Sequence, residues 1–149
     1  MKIGDICIRD VVYVEEQESL LAVAELMRKH HVGSVLVVKK VGDRLLPVGI
    51  LTDRDLVVEV IAPNVDPEKL LVQDVMSFNL VTAKEENEMW EVASLMQSKG
   101  IRRVPVVDNN GYLTGVFCMD DILEIVTAEL SGLVKLVDRE HRNEVVARA

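Results

Sequence analysis

The chain has 149 residues, 49% hydrophobic and only 3% aromatic, which suits one compact domain or two small lobes around an aliphatic core and excludes a disordered chain. Its net charge of −8, from 17 basic and 25 acidic residues, repels phosphate backbones and disfavours general nucleic-acid binding. The two cysteines, Cys7 and Cys118, form no CxxC pattern, and no apolar run resembles a signal peptide or approaches the roughly 20 residues of a bilayer span, so a cytoplasmic protein off the membrane is expected.

A short strand is predicted at "VVYV" (11–14). A helix follows from about Ser19 to His31, where Leu20, Val23, Ala24, Met27 and His31 recur at helical spacing. Two β-rich runs come next, "SVLVV" (34–38) and "LPVGIL" (46–51), joined by the turn-forming "KKVGDR". The run "VLVV" is apolar at every position, so both faces of its sheet should be covered. A closing helix starts after Thr52 and is stopped by the prolines of the linker "PNVDPEKL" (63–70). The same order then recurs: "LVTA" (80–83), a helix from about Glu88 to Gly100, "RVPVV" (103–107), the turn "DNNG" and "LTGVF" (113–117). A last helix is expected from Met119 to Val137, with Ile122, Leu123, Ile125, Val126, Leu130, Leu133, Val134 and Val137 on a broad apolar face. The charged tail 138–149 is expected to fray or to meet a partner.

This recurrence is an internal repeat. At an offset of 69, Val12 falls on Val81, Ala24 on Ala93, Met27 on Met96 and Val38 on Val107, and the lead-in "IGDI" (3–6) falls on "VQDV" (72–75). At an offset of 66, "GILTDRDL" (49–56) falls on "GVFCMDDI" (115–122). Neither copy has enough elements to bury its own sheet. The expected fold is therefore α+β (α/β), two pseudo-symmetric halves packed sheet to sheet: copy one over 1–62, a linker over 63–71, copy two over 72–137 and a tail over 138–149.

"GILTDRD" admits two readings. Thr52 is a good N-cap, and Asp55 three residues later makes an acidic capping box. Asp53 and Asp55 also suit the positive end of a helix. On spacing alone this reading is favoured. In the second copy, however, Cys118 stands at the cap while Asp121 is kept. An acid without its capping partner points to another job. An ionised Asp is an acceptor only and can take two adjacent sugar hydroxyls, while a helix start beside it can meet a phosphate oxygen.

The motifs "DVM" (74–76), "GIRRVPVVD" (100–108), "GILTDRDL" and "GVFCMDDIL", duplicated in order, resemble a tandem pair of cystathionine β-synthase (CBS) domains, also called a Bateman module. The resemblance spans Ile3 to about Thr127. It implies β-α-β-β-α copies meeting through their sheets, two clefts between them, and adenosine compounds as ligands: AMP, ADP, ATP or S-adenosylmethionine. It also implies disc-shaped homodimers that regulate a separate protein without catalysis, requiring no cofactor. Carried onto this chain, the first cleft centres on Thr52 and Asp55 at the ribose, with Arg54 toward a phosphate and Met76, Val81, Ile101 and Arg102 from the opposite copy. A weaker second cleft centres on Asp121, with Cys118, Arg103, Val12 and Val32. There Cys118 replaces the expected hydroxyl residue.

Arg102 and Arg103 open a strand, so they should face opposite ways, with at most one in a given cleft. Adjacent His30 and His31 at a helix end suit the helix dipole better than a metal. The family resemblance implies that Cys7 and Cys118 both border the second cleft, where a redox pair is the bolder reading and two ordinary small buried residues the plainer one. Trp90, the only tryptophan, falls on Leu21 in the repeat and is expected at a dimer contact. No nucleophile–base pair, P-loop or metal-ligand set is visible, so neither an enzyme nor a metal site is expected. A purely structural scaffold with vestigial clefts is the alternative to a ligand sensor.

Overall fold

The computed structural model describes residues 1–149. In chain order the elements are β1 (Tyr13–Glu15), α1 (Leu20–His30), β2 (Ser34–Val41), β3 (Arg44–Thr52), α2 (Asp53–Leu56), α3 (Val72–Val75), β4 (Ala83–Lys84), α4 (Met89–Lys99), β5 (Arg103–Val107), β6 (Leu113–Cys118) and α5 (Met119–Arg148). A widened π turn over Val57–Ile61 continues α2, and short 3-10 turns stand at Ile3–Asp5 and Pro67–Lys69. The first strand of each copy is shorter and later than expected. Helix α5 runs through Arg148 rather than stopping at Val137, so the expected frayed tail is helical. Its residues, "DREHRNEVVAR", contain no helix-breaking Pro or Gly.

Two three-stranded sheets result, ordered β1-β2-β3 and β4-β5-β6. In each, the first pair is parallel and the second antiparallel. Even the irregularities repeat. The register slips after Val37 opposite Gly49, and again after Val106 opposite Gly115. Helices α1 and α4 both end on a left-handed residue, His31 (φ 53°) and Gly100 (φ 64°). No helix is long and apolar enough to cross a membrane.

The copies are joined by exchange. The lead-in to each copy pairs with the last strand of the other. Ile8 and Val116 trade two backbone hydrogen bonds of 2.9 Å, and Ile50 and Ser77 trade bonds of 3.1 and 2.9 Å. Gly49 and Gly115 permit this approach. A Cβ on Gly49 would lie 2.7 Å from the Ser77 carbonyl oxygen, and one on Gly115 2.7 Å from Cys7 Sγ. The cores are exchanged as well. Val72 and Met76 pack with Val14, Leu20, Val23, Val35, Val37 and Leu51 of the first copy. Ile3 packs with Met89, Val92, Val104, Val106 and Phe117 of the second. Ile3 and Val72 occupy equivalent positions, and both are fully buried.

Candidate functional site

Because β3 and β6 end side by side with the starts of β2 and β5, the surface opens where the copies meet. Two cavities lie there. The larger, about 610 Å³, is lined by Gly33, Ser34, Ile50, Thr52, Asp53 and Arg54 of the first copy and Ile101, Arg102, Arg103 and Asp120 of the second. The smaller, about 170 Å³, is mostly apolar and shares Ser34, Ile50 and Arg103 with it. Val12, Val32 and Cys118 complete part of its wall, with Asp10 and Val116.

Of the residues expected in the first cleft, Thr52, Arg54, Ile101 and Arg102 line the larger cavity. Asp55, Met76 and Val81 do not. Met76 is buried in the first core with its sulfur 3.0 Å from where a Cβ on Gly49 would sit, and Val81 is half-buried. Of the second set, Val12, Val32, Cys118 and Arg103 line the smaller cavity, while Asp121 does not.

The two aspartates face the backbone. Asp55 Oδ2 accepts from the Thr52 N–H at 2.8 Å, and Thr52 Oγ1 accepts from the Asp55 N–H at 3.2 Å, closing the capping box. Asp121 Oδ2 likewise accepts from the Cys118 N–H at 2.8 Å. In the second copy the acid caps its helix without help from a hydroxyl. The start of α2 is also closed to a ligand's anion. The Asp53 N–H donates to the Gly33 carbonyl at 2.9 Å and the Arg54 N–H to Asp53 Oδ1 at 2.8 Å, so the first four donors from Thr52 to Asp55 are all taken. Thr52 still has a hydroxyl proton to donate, because the cap uses its oxygen only as an acceptor.

Positive charge comes instead from side chains. Arg54, Arg102 and Arg103 all line the larger cavity, against the acids Asp53 and Asp120. The expectation that only one of the paired arginines would face a cleft fails. Strand β5 begins at Arg103, so Arg102 lies on the bend before it and escapes strand alternation. Arg102 Nη2 meets Asp120 Oδ1 at 3.4 Å in an open ion pair. Arg103 Nη1 donates to Ser34 Oγ at 2.9 Å across the interface. Ser34 and Arg103 are equivalent positions, the first residues of β2 and β5. Sequence reasoning missed Gly33, Ser34, Ile50, Asp53 and Asp120, although the offset of 69 that pairs Ser34 with Arg103 held the signal for Ser34.

Cys7 lies against Gly115, not on the smaller cavity, and its thiol donates to the Gly4 carbonyl at 3.9 Å. Both cysteines are free. Burial lifts each thiol above the usual value of 9.0, helped for Cys118 by the charge of Asp121. A raised thiol value makes each sulfur a weaker nucleophile at neutral pH.

Two exchanged β-α-β-β-α copies meet around a shared cleft. The chain belongs to the CBS domain family, whose model matches residues 3–62 and 72–128. It is 38% identical over 125 residues to an uncharacterised protein of Methanopyrus kandleri, covering 84% of this chain and 62% of that protein. It is 34% identical to the uncharacterised protein YlbB of Bacillus subtilis, over 96% of both chains. Among solved structures, the CBS domain pair of protein MJ0100, in complex with 5′-methylthioadenosine and S-adenosyl-L-methionine, superposes with a TM-score of 0.73 at 26% identity, over 87% of this chain and 98% of that one.

Proposed function

We propose that the chain is a non-catalytic regulatory module that binds an adenosine-containing ligand in the 610 Å³ cavity between its copies, acts in the cytoplasm as a homodimer, and signals to a separate protein. One observation carries this reading: three arginines and a free hydroxyl proton converge on one cavity from both copies. The volume falls within the range of small-molecule sites. The arginine fork suits phosphate oxygens, and Thr52 can donate to a ribose oxygen. Ile50 and Ile101 offer apolar wall to a base. Local charge in the cavity is net positive in a chain of net −8, which favours AMP, ADP or ATP over the sulfonium cation of S-adenosylmethionine. The complex of the MJ0100 pair supports an adenosine ligand in this fold. A ligand touching both copies favours whichever relative arrangement it fits, and that population shift is what a partner would read. Trp90, 61% exposed on α4, is proposed at the homodimer contact.

Thermal melting with AMP, ADP, ATP and S-adenosylmethionine tests the proposal. A ligand at 100 times its Kd adds about 2.7 kcal/mol, or roughly 5–10 °C at this size. The shift should be lost in Arg102→Ala, whose side chain is exposed and holds no core contact. No shift with any compound would leave the scaffold reading.

A further inference from the structure

The second family match ends at residue 128, yet α5 continues to Arg148, and every residue from Thr127 on is exposed. That free stretch is not polar. Leu123, Val126, Leu130, Leu133 and Val137 follow one another at alternating spacings of three and four. This is the 3.5-residue repeat of a helix-to-helix seam. Val134 and Leu136 widen it. Leu130, Leu133 and Val137 are 57%, 59% and 63% exposed, so the seam is covered by nothing on its own chain. A continuous apolar face of this kind marks an interaction surface.

We infer that α5 of a second copy covers it, running antiparallel. Charge sets the direction. From Met119 to Val134 the helix carries the acids Asp120, Asp121, Glu124 and Glu129 and no base. From Lys135 to Arg148 it carries four bases against three acids. A parallel pair lays acidic half on acidic half, whereas an antiparallel pair lays each acidic half beside the half with net positive charge. With Leu130 facing Leu133 across the two-fold axis, Val126 faces Val137. The contact is self-complementary, as a two-fold dimer requires. The seam also runs into a groove of about 410 Å³ between α4 and α5, lined in part by Met96, Met119, Ile122 and Leu123. In this register the last turns of the second helix, with exposed Val145 and Val146, come level with its mouth. The contact is separate from the surface around Trp90 and does not depend on ligand binding.

Sedimentation equilibrium of the full chain tests association. Wild type should exceed the 16.6 kDa of one chain, and Leu133→Glu should halve its mass. Leu130→Arg serves as a second exposed variant, and far-UV circular dichroism checks that both stay folded. Dipolar spectroscopy on a spin label at Ala149→Cys tests direction, with wild type treated identically to correct for Cys7 and Cys118. The antiparallel register sets the two labels about 50 Å apart from the helical rise per residue. A wild-type mass of one chain, a mass unchanged in both folded variants, or labels within about 20 Å, as a parallel pair places them, would each overturn the inference. Nucleotide melting shifts in the dissociated variant separate this outcome from that of the ligand site.

Discussion

Thr52 and Cys118 show how one residue divides two equivalent helix starts. Both are followed three positions later by an acid that takes the cap residue's N–H, but only Thr52 returns a bond. Cys118→Ser should supply the missing half and stabilise the protein by about 0.5–1 kcal/mol, read as a higher urea midpoint with unchanged slope. If Cys118→Ser is neutral, the sulfur is already capping. Because burial holds the Cys118 thiol above 9.0, folding favours its neutral form. That contribution is complete below pH 9 and is lost as pH rises through the higher folded value, so stability should decline in alkali, and less so in Cys118→Ser. The residue scale was only partly legible. The cap was readable from spacing, since capping is local. That Asp55 stays off the larger cavity was not, because an acid in this motif suits a ribose as well as a cap.

At the scale of elements, the exchange of lead-ins ties distant segments together. Ile3 belongs to the first copy by sequence and to the second by packing. Ile3→Ala should cost about 2–4 kcal/mol, and hydrogen exchange should rise first in β5 and β6, not in the neighbouring β1. Protection lost equally in both sheets would mean that the cores do not open separately. Gly49→Ala should cost at least about 1–3 kcal/mol, since its Cβ would press on the Ser77 carbonyl. The same exchange brings Arg9 to Glu85, and the hydrogen bond from Arg9 holds that carboxyl below its usual 4.5. A carboxylate depressed in this way stabilises the fold above its unfolded value and loses that contribution as pH falls through the folded one. The pair is largely exposed, so Arg9→Ala should flatten acid unfolding by no more than about 1 kcal/mol. The elements themselves were legible from periodicity and turn residues, and the repeat doubled the signal. Their exchange was legible only through the family resemblance, because nothing local in "IGDI" names Phe117 as a neighbour. Helix α5 was read short because its apolar seam ends at Val137, where charged residues begin that continue the helix on propensity alone.

For the whole molecule, each core contains side chains from both copies, so neither copy is complete alone. Unfolding should be a single two-state transition with coincident near- and far-UV signals, and a fragment of residues 72–149 should lack a cooperative melt. Two resolved transitions would show that the exchange contributes little. The overall plan, two alike halves packed sheet to sheet, followed from composition and repeat, since a sheet apolar on both faces demands a second layer, while the cleft came only with the family resemblance.

The burial of Ile3 under Phe117 has a consequence during synthesis. Ile3 must wait for Phe117, which is made much later, roughly 6–20 s at ordinary ribosomal speeds. Through that interval the nascent chain carries an uncovered Ile3 and an unfilled second core, and is most exposed to chaperones and to mispairing with a neighbour on the same message. Translation rate, more than final stability, should then decide how much of this protein is recovered intact.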